Sequence, residues 1–154
     1  MSLALARFLA IVLTALALAP GLAHVLELPN KIVLDRQDYL VVQGLYRGWS
    51  LLYIVLLGAL TANAVVFLLS RRRGAAAGWA LVATLLLVAS LAIFFVWTYP
   101  VNQITANWTV APPDWQALRA RWEYSHAANA LVTFLALCAA AAAGLMTRDR
   151  LFNH

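Results

Sequence analysis

The chain has 154 residues but only two glutamates, and each lies three positions from a histidine. One pair is His24 and Glu27, and the other, in the opposite order, is Glu123 and His126. Residues three apart lie on the same face of an α-helix. Each pair is therefore predicted to present an imidazole and a carboxylate side by side. These are groups that bind transition metals or transfer protons.

The four side chains suit a metal site if their helices pack against each other. Helix bundles hold metals with glutamate and histidine three residues apart on facing helices. A dinuclear centre needs more carboxylates than the two glutamates provide, so we expect a mononuclear centre of iron, copper, manganese or zinc. Three alternatives remain open: hydrated side chains near a membrane surface, ion pairs with Lys31, Arg47 or Arg119, and haem b held by the two histidines.

The composition places these residues in a membrane protein, because 64% of the chain is hydrophobic and only 11% is charged. A helix needs about 20 apolar residues to cross the hydrocarbon core. We predict an all-α, integral membrane four-helix bundle, a single domain over residues 1–154. The predicted spans are Leu3–Leu26, Tyr39–Ser70, Ala75–Tyr99 and Trp115–Met146. Segments 27–38 and 100–124 are expected to form an outer cap.

The distribution of arginine predicts the orientation of the bundle. Arg71, Arg72 and Arg73 form a turn between two spans, and Arg148 and Arg150 follow the last span. Cytoplasmic loops are enriched in such residues. Both termini are therefore expected in the cytoplasm, with an antiparallel up-down arrangement in the plasma (inner) membrane. The basic residues then contact anionic lipid, and no nucleic-acid partner is expected.

This topology brings the two pairs of acid and histidine together near the outer, periplasmic face. The first helix runs outward and the fourth runs inward, so the reversed order places the two histidines at equal depth. Each glutamate then lies about 4.5 Å further out along its helix axis. We therefore predict that all four side chains converge at the outer mouth of the bundle.

Further polar and aromatic residues on the same side complete the predicted site. Gln43 and Arg47 are four residues apart and would share one face of a continuous helix. An arginine so close to hydrocarbon is a functional candidate. Arg47 and Asn102 are predicted to be catalytic, whereas the predicted substrate-binding residues are Gln43, Trp97, Trp122 and Asn129.

Other residues are predicted to serve packing. Gly44 and Gly48 have the spacing by which small residues let two helices approach closely. Asp38 is expected to cap the second helix. Asn63, far from the predicted site, is expected to form a hydrogen bond between helices.

Three short motifs resemble a known family. They are AHVLELP at residues 23–29, TYPVN at residues 98–102 and RWEYSH at residues 121–126. With this layout the chain resembles the anthrone-oxygenase-like family of small four-helix membrane proteins, many of unknown function. The resemblance implies oxygenation of a phenolic or polycyclic aromatic molecule to a quinone.

These observations predict a membrane-embedded, metal-dependent oxidoreductase. The more specific prediction is an oxygenase. Its substrate would be an apolar aromatic or quinone-like molecule that enters the outer mouth of the bundle. The alternative is a non-catalytic accessory subunit, or a membrane protein that binds a small molecule or haem. The expected partners are the lipid bilayer, the apolar molecule, and a second copy of the chain or another membrane subunit.

Overall fold

The protein is built of helices, as the apolar spans predict. A computed structural model describes residues 1–72 and 74–146, so the predicted roles of Arg73, Arg148 and Arg150 lie outside the described residues. The α-helices are α1 (Leu3–Lys31), α2 (Arg36–Gln43), α3 (Tyr53–Ser70), α4 (Ala75–Ile93), α5 (Tyr99–Ile104) and α6 (Trp115–Leu145). Among the described residues, four helical stretches are long and apolar enough to cross a membrane: Leu3–Lys31, Trp49–Ser70, Ala75–Ile104 and Trp115–Leu145. An all-α chain with four such helices is thereby confirmed.

The first helix is longer than predicted and ends at Lys31 rather than Leu26. Pro29 lies inside it, and the amide of Ile32 still donates to the carbonyl of Leu28 at 3.0 Å. Proline is tolerated in membrane helices where neighbouring groups satisfy the freed carbonyl. The extension matters for the site, because it carries Lys31 onto the face that already holds His24.

The prediction of one continuous helix over Tyr39–Ser70 is wrong. The short helix α2 ends at Gln43, and two 3₁₀ turns, Gly44–Tyr46 and Trp49–Leu52, separate it from α3. Gly48 between them has φ 85°, a left-handed conformation that glycine adopts without strain. Apart from the chain neighbours, no described residue has an atom within 4 Å of a Cβ built at Gly44 or Gly48, so the predicted helix-packing role is also wrong.

The start of α2 also differs from the prediction. Asp35, not Asp38, is the N-cap residue, and its Oδ1 accepts from the amide of Asp38 at 2.9 Å. Asp38 instead lies in the first turn of the helix, where a carboxylate interacts favourably with the helix dipole.

The third span continues past its predicted end at Tyr99 into the segment that was expected to form the outer cap, and it ends at Ile104. A π-helical segment, Phe94–Thr98, joins α4 to α5 immediately before Pro100. Proline lacks an amide proton and clashes with the carbonyl four residues earlier. That carbonyl, of Val96, accepts from Arg121 of α6 at 2.8 Å instead. The wider turn therefore lets the helix pass the proline with its backbone satisfied.

Small residues allow the long helices to pack closely. Helices α1 and α4 each contact α3 and α6. One buried cluster is formed largely by alanines: Ala6, Ala10, Ala62, Ala80 and Ala143. A Cβ built at Gly21 of α1 would lie only 3.1 Å from Cβ of Ala130 in α6. The predicted interhelical bond of Asn63 is confirmed, because its Nδ2 donates to Oγ1 of Thr14 at 3.0 Å.

Candidate functional site

The two internal histidines meet between α1 and α6. The ring centroids of His24 and His126 lie 4.2 Å apart with 30° between their planes, which confirms the predicted contact. The indole of Trp122 packs edge-on against both imidazoles, with centroid distances of 5.0 Å to His24 and 4.2 Å to His126. Gly21 and Ala130 lie about one turn from this pair and bring the two helices close enough for the rings to touch.

Lys31 is the residue that joins the two glutamates to the histidine pair. Its Nζ lies 3.1 Å from Oε2 of Glu123 and 3.4 Å from Oε2 of Glu27. The same nitrogen lies 3.0 Å from Nδ1 of His24. Lys31 is only 3% exposed and Glu123 only 1%, so this ion pair is buried. A buried charge of either sign is costly unless it is paired, and Lys31 therefore neutralises Glu123.

Two tyrosines extend the hydrogen-bond network. The hydroxyl of Tyr39 donates to Oε1 of Glu123 at 3.0 Å, and that of Tyr46 donates to Oε2 of Glu27. Nζ of Lys31 also donates to the Tyr46 hydroxyl at 3.1 Å. Burial, followed by the adjacent glutamate, raises the pKa of Tyr39 and of Tyr46 above the usual range. Both phenols therefore stay protonated and act as donors.

The predicted metal centre has a competing cation in its place. The ammonium of Lys31 lies within 3.4 Å of polar atoms in three of the four expected ligands, His24, Glu27 and Glu123. Within residues 1–72 and 74–146, no group of three or more His, Cys, Asp and Glu side chains is placed to hold a metal ion. The four residues thus do not fit a shared metal in this arrangement, because Lys31 would have to move. Metal binding by these residues stays a prediction.

Haem binding meets a different obstacle. Ligation by two histidines places the porphyrin between the imidazoles. The rings of His24 and His126 touch, with centroids 4.2 Å apart, and leave no room for a macrocycle between them. A haem held in this way would need the two rings to separate. Haem b also stays untested.

A cavity of about 410 Å³ opens beside the histidine pair. Ligand sites in proteins are typically about 300–1,000 Å³ in volume and mostly apolar. His24 and His126 line this cavity, and its aromatic wall includes Tyr46, Trp49, Tyr53 and Phe94. The helix break after Gln43 forms part of the wall, through Tyr46, Gly48 and Trp49.

Four of the remaining predicted site residues line the cavity: Gln43, Arg47, Asn102 and Asn129. Oδ1 of Asn102 accepts from Nε1 of Trp122 at 2.7 Å, and Oδ1 of Asn129 accepts from the hydroxyl of Ser90. Trp122, the other predicted substrate-binding tryptophan, contacts both histidine rings but is not part of the cavity lining. The structure places Trp97 away from the cavity, with 47% of its surface exposed.

The comparisons with known proteins yielded no relative. The sequence matches no protein-family model, no curated protein and no solved structure. The resemblance to the anthrone-oxygenase-like family therefore stays a prediction, and the site must be interpreted from its own geometry.

Sequence reasoning missed the central role of Lys31 and the contributions of Tyr39 and Tyr46. It considered an ion pair between Glu27 and Lys31 only as an alternative, and that pair is present. Arg119, proposed as a partner for Glu123, instead donates to the carbonyl of Leu34 at 2.6 Å. The available signal was spacing: a lysine seven residues after His24 lies on the same helix face once the helix continues through Pro29.

Proposed function

We propose that this protein is an integral membrane oxidoreductase that oxidises an apolar aromatic molecule, phenolic or quinone-like, in the cavity beside His24 and His126. The observation that carries the proposal is the combination of an aromatic-walled cavity of about 410 Å³ with two contacting imidazoles on its lining. Imidazole is the side chain most often used to take up or release a proton during a reaction. The resemblance to anthrone oxygenases supports the same substrate class.

The hydrogen bond from Lys31 suggests distinct roles for the two imidazoles. An ammonium group can only donate, so Nδ1 of His24 accepts and its ring proton resides on Nε2. His24 is then a hydrogen-bond donor towards a substrate oxygen. Among the described residues Nε2 of His126 has no hydrogen-bond partner. His126 is therefore the group we assign to accept a proton from the substrate.

The reaction class is the one that the resemblance to anthrone oxygenases implies. Dioxygen oxidises a methylene carbon between two aromatic rings to a carbonyl. One oxygen atom enters the product, and the other forms water with the two methylene hydrogens. Loss of a proton from the methylene carbon to His126 activates that carbon, and His24 stabilises the ketone oxygen across the ring, which gains negative charge by conjugation. Arg47 and Asn102, which line the cavity, are proposed to orient the substrate.

The metal and the orientation in the membrane belong to the proposal too. Metal ligation is the alternative to these proton-transfer roles: with Lys31 displaced from between the acids, His24 and His126 would be the imidazole ligands of a mononuclear iron, copper, manganese or zinc ion. Arg71 and Arg72 support a cytoplasmic position for the turn between α3 and α4. An antiparallel up-down bundle in the plasma membrane, with cytoplasmic termini, then opens its cavity near the outer face.

Oxygen uptake by purified protein tests the function. With anthrone as substrate, the wild type should consume one dioxygen for each anthraquinone formed. His126→Ala should lower the rate at least a hundredfold, because general acid-base groups contribute about 10²–10⁴-fold. Trp79→Phe is the control, since Trp79 is exposed on α4 and outside the cavity lining. Equal rates in all three proteins, or no rate above the uncatalysed oxidation, would refute the proposal.

A second candidate function is a non-catalytic accessory subunit, and one observation favours it. The charges of Lys31, Glu27 and Glu123 are paired with one another within the bundle, as in a purely structural cluster. This candidate predicts that the protein neither oxidises anthrone nor binds flat aromatic molecules. It also predicts co-purification with another membrane subunit from native membranes.

A further inference from the structure

Trp108 is a buried hydrogen-bond donor for which the described part of the chain supplies no acceptor. It is 4% exposed, and its Nε1 has no hydrogen-bond partner among the described residues. Buried tryptophan N–H groups usually find a partner, so an unpaired one calls for an explanation. Trp108 also lines the cavity. A ligand in the cavity is thus a natural source of the missing acceptor.

The backbone that presents Trp108 is unusual. Three consecutive residues other than glycine have positive φ: Ala106 at 46°, Asn107 at 55° and Trp108 at 61°. Such conformations are costly, persist only where the surroundings enforce them, and concentrate at functional sites. Here the amide of Asn107 donates to the carbonyl of Asn102 at 2.7 Å, and that of Trp108 donates to Oγ1 of Thr105 at 3.1 Å.

The ring of Trp108 is held from two sides. Tyr39 packs edge-on against it at a centroid distance of 4.9 Å, and Trp122 does so at 6.1 Å. The indole therefore cannot turn freely to find an acceptor elsewhere. A second buried donor lies on the same cavity lining: Nε2 of Gln43, a residue that is 6% exposed. This nitrogen carries two hydrogens, and the neighbouring Tyr39 hydroxyl can accept only one of them.

We propose that Trp108 donates a hydrogen bond from Nε1 to an oxygen of the aromatic molecule bound in the cavity, with Gln43 as a second donor. This inference rests on the proposed function and adds a specificity determinant to it. Because both groups are donors, the cavity selects molecules with an acceptor oxygen, such as a quinone or ketone. The same ring system without oxygen would leave both donors unsatisfied, which is costly in a buried site.

The test compares 9,10-anthraquinone with anthracene, which share one ring skeleton and differ in the two oxygens. Dissociation constants are measured by equilibrium dialysis on detergent-solubilised protein. Trp108→Phe keeps an aromatic ring but removes the donor, and should weaken anthraquinone binding about tenfold while leaving anthracene unchanged. Phe94→Leu is the matched control, since Phe94 also lines the cavity and its side chain has no hydrogen-bond donor. It should not discriminate between the two probes.

A measurement on the wild type guards against misfolding of the variant. The indole N–H resonance of Trp108, in ¹⁵N-labelled protein, should shift downfield with anthraquinone and not with anthracene. The donor role would be overturned if Trp108→Phe weakened the binding of both probes equally. It would also be overturned if the variant bound anthraquinone as tightly as the wild type and the resonance did not shift, which is the result expected if a bound water accepts from Nε1. If the wild type binds neither probe, the proposed function fails and this inference fails with it.

Discussion

The ammonium nitrogen of Lys31 lies 3.0 Å from Nδ1 of His24, so a buried cation is in direct contact with the histidine pair. The contact fixes which nitrogen of His24 carries its proton, because an ammonium cannot accept a hydrogen bond. It also ties the pair to both glutamates through one atom. The chemistry of this end of the bundle therefore depends on Lys31 as much as on the histidines.

The first prediction concerns the stability of the buried ion pair. Lys31→Met leaves Glu123 buried without its cation and should lower the free energy of unfolding by about 3–5 kcal/mol. The double variant with Glu123→Leu should recover most of the loss, since both charges are then gone. Glu27→Gln serves as the control, because the Glu27 side chain is 43% exposed and its loss should cost less than about 1 kcal/mol. Denaturant titration in detergent gives all three values, and an unchanged stability of Lys31→Met would contradict the prediction.

The second prediction concerns metal binding. The four predicted ligands should retain some iron, copper, manganese or zinc in untagged wild-type protein, below one ion per chain because Lys31 competes, and His126→Ala should lose it. Lys31→Ala should raise the occupancy, because it removes the cation that lies among Glu27, Glu123 and His24. Elemental analysis after purification without chelator measures both effects. A wild type without metal, together with a Lys31→Ala variant that takes up none of the four ions, would remove the metal from the proposed function.

The third prediction concerns alkaline pH. Burial raises the pKa of Tyr39 and of Tyr46, so the folded protein holds both protons more tightly than the unfolded chain does. Their contribution to stability is complete below pH 10, near the unfolded pKa, and declines as the pH rises further. Each tyrosine should lower the free energy of unfolding by about 1.4 kcal/mol per pH unit above 10. Tyr39→Phe and Tyr46→Phe should each flatten this decline, as measured by denaturation between pH 9 and about 11.5.

The fourth prediction concerns the close approach of α1 and α6. A Cβ at Gly21 would lie 3.1 Å from Cβ of Ala130, so Gly21→Val should force the helices apart and cost about 1–3 kcal/mol of stability. Binding of anthraquinone should weaken as well, because the histidine contact lies about one turn away. Gly78→Val is the control, since nothing lies within 4 Å of a Cβ built there. Similar losses in both variants would mean that the valine acts through helix propensity and not through packing.

The fifth prediction concerns orientation in the membrane. A membrane-impermeant thiol reagent added outside the cell should label a cysteine placed at Asn107 and not one placed at Gly74. The background is Cys138→Ser, because the natural cysteine is exposed. The reverse labelling pattern would move the cavity to the cytoplasmic side.

Much of the fold could be predicted from local sequence. Apolar length determines which segments can cross a membrane, and helical periodicity determines that His24 and Glu27 share a face. The inverted order of Glu123 and His126 then predicts the contact of the two imidazoles, which the structure contains. The first two inferences depend only on neighbours along the chain and on the bilayer thickness, whereas the imidazole contact also required the assumption that α1 and α6 pack with these faces together.

The tertiary structure decided what surrounds the two histidines. Whether α1 continues past Pro29 depends on what the following turn packs against. Lys31 is stabilised in the interior by Glu123 from the distant helix α6, together with its contacts to Glu27, His24 and Tyr46. Trp108, to which the sequence assigns no role, is buried and lies at the end of a left-handed turn that helix periodicity does not predict. Sequence spacing reports which side chains share a helix face. It does not report which distant group will neutralise a charge or leave a donor unpaired, since those energies arise only when separate helices pack together.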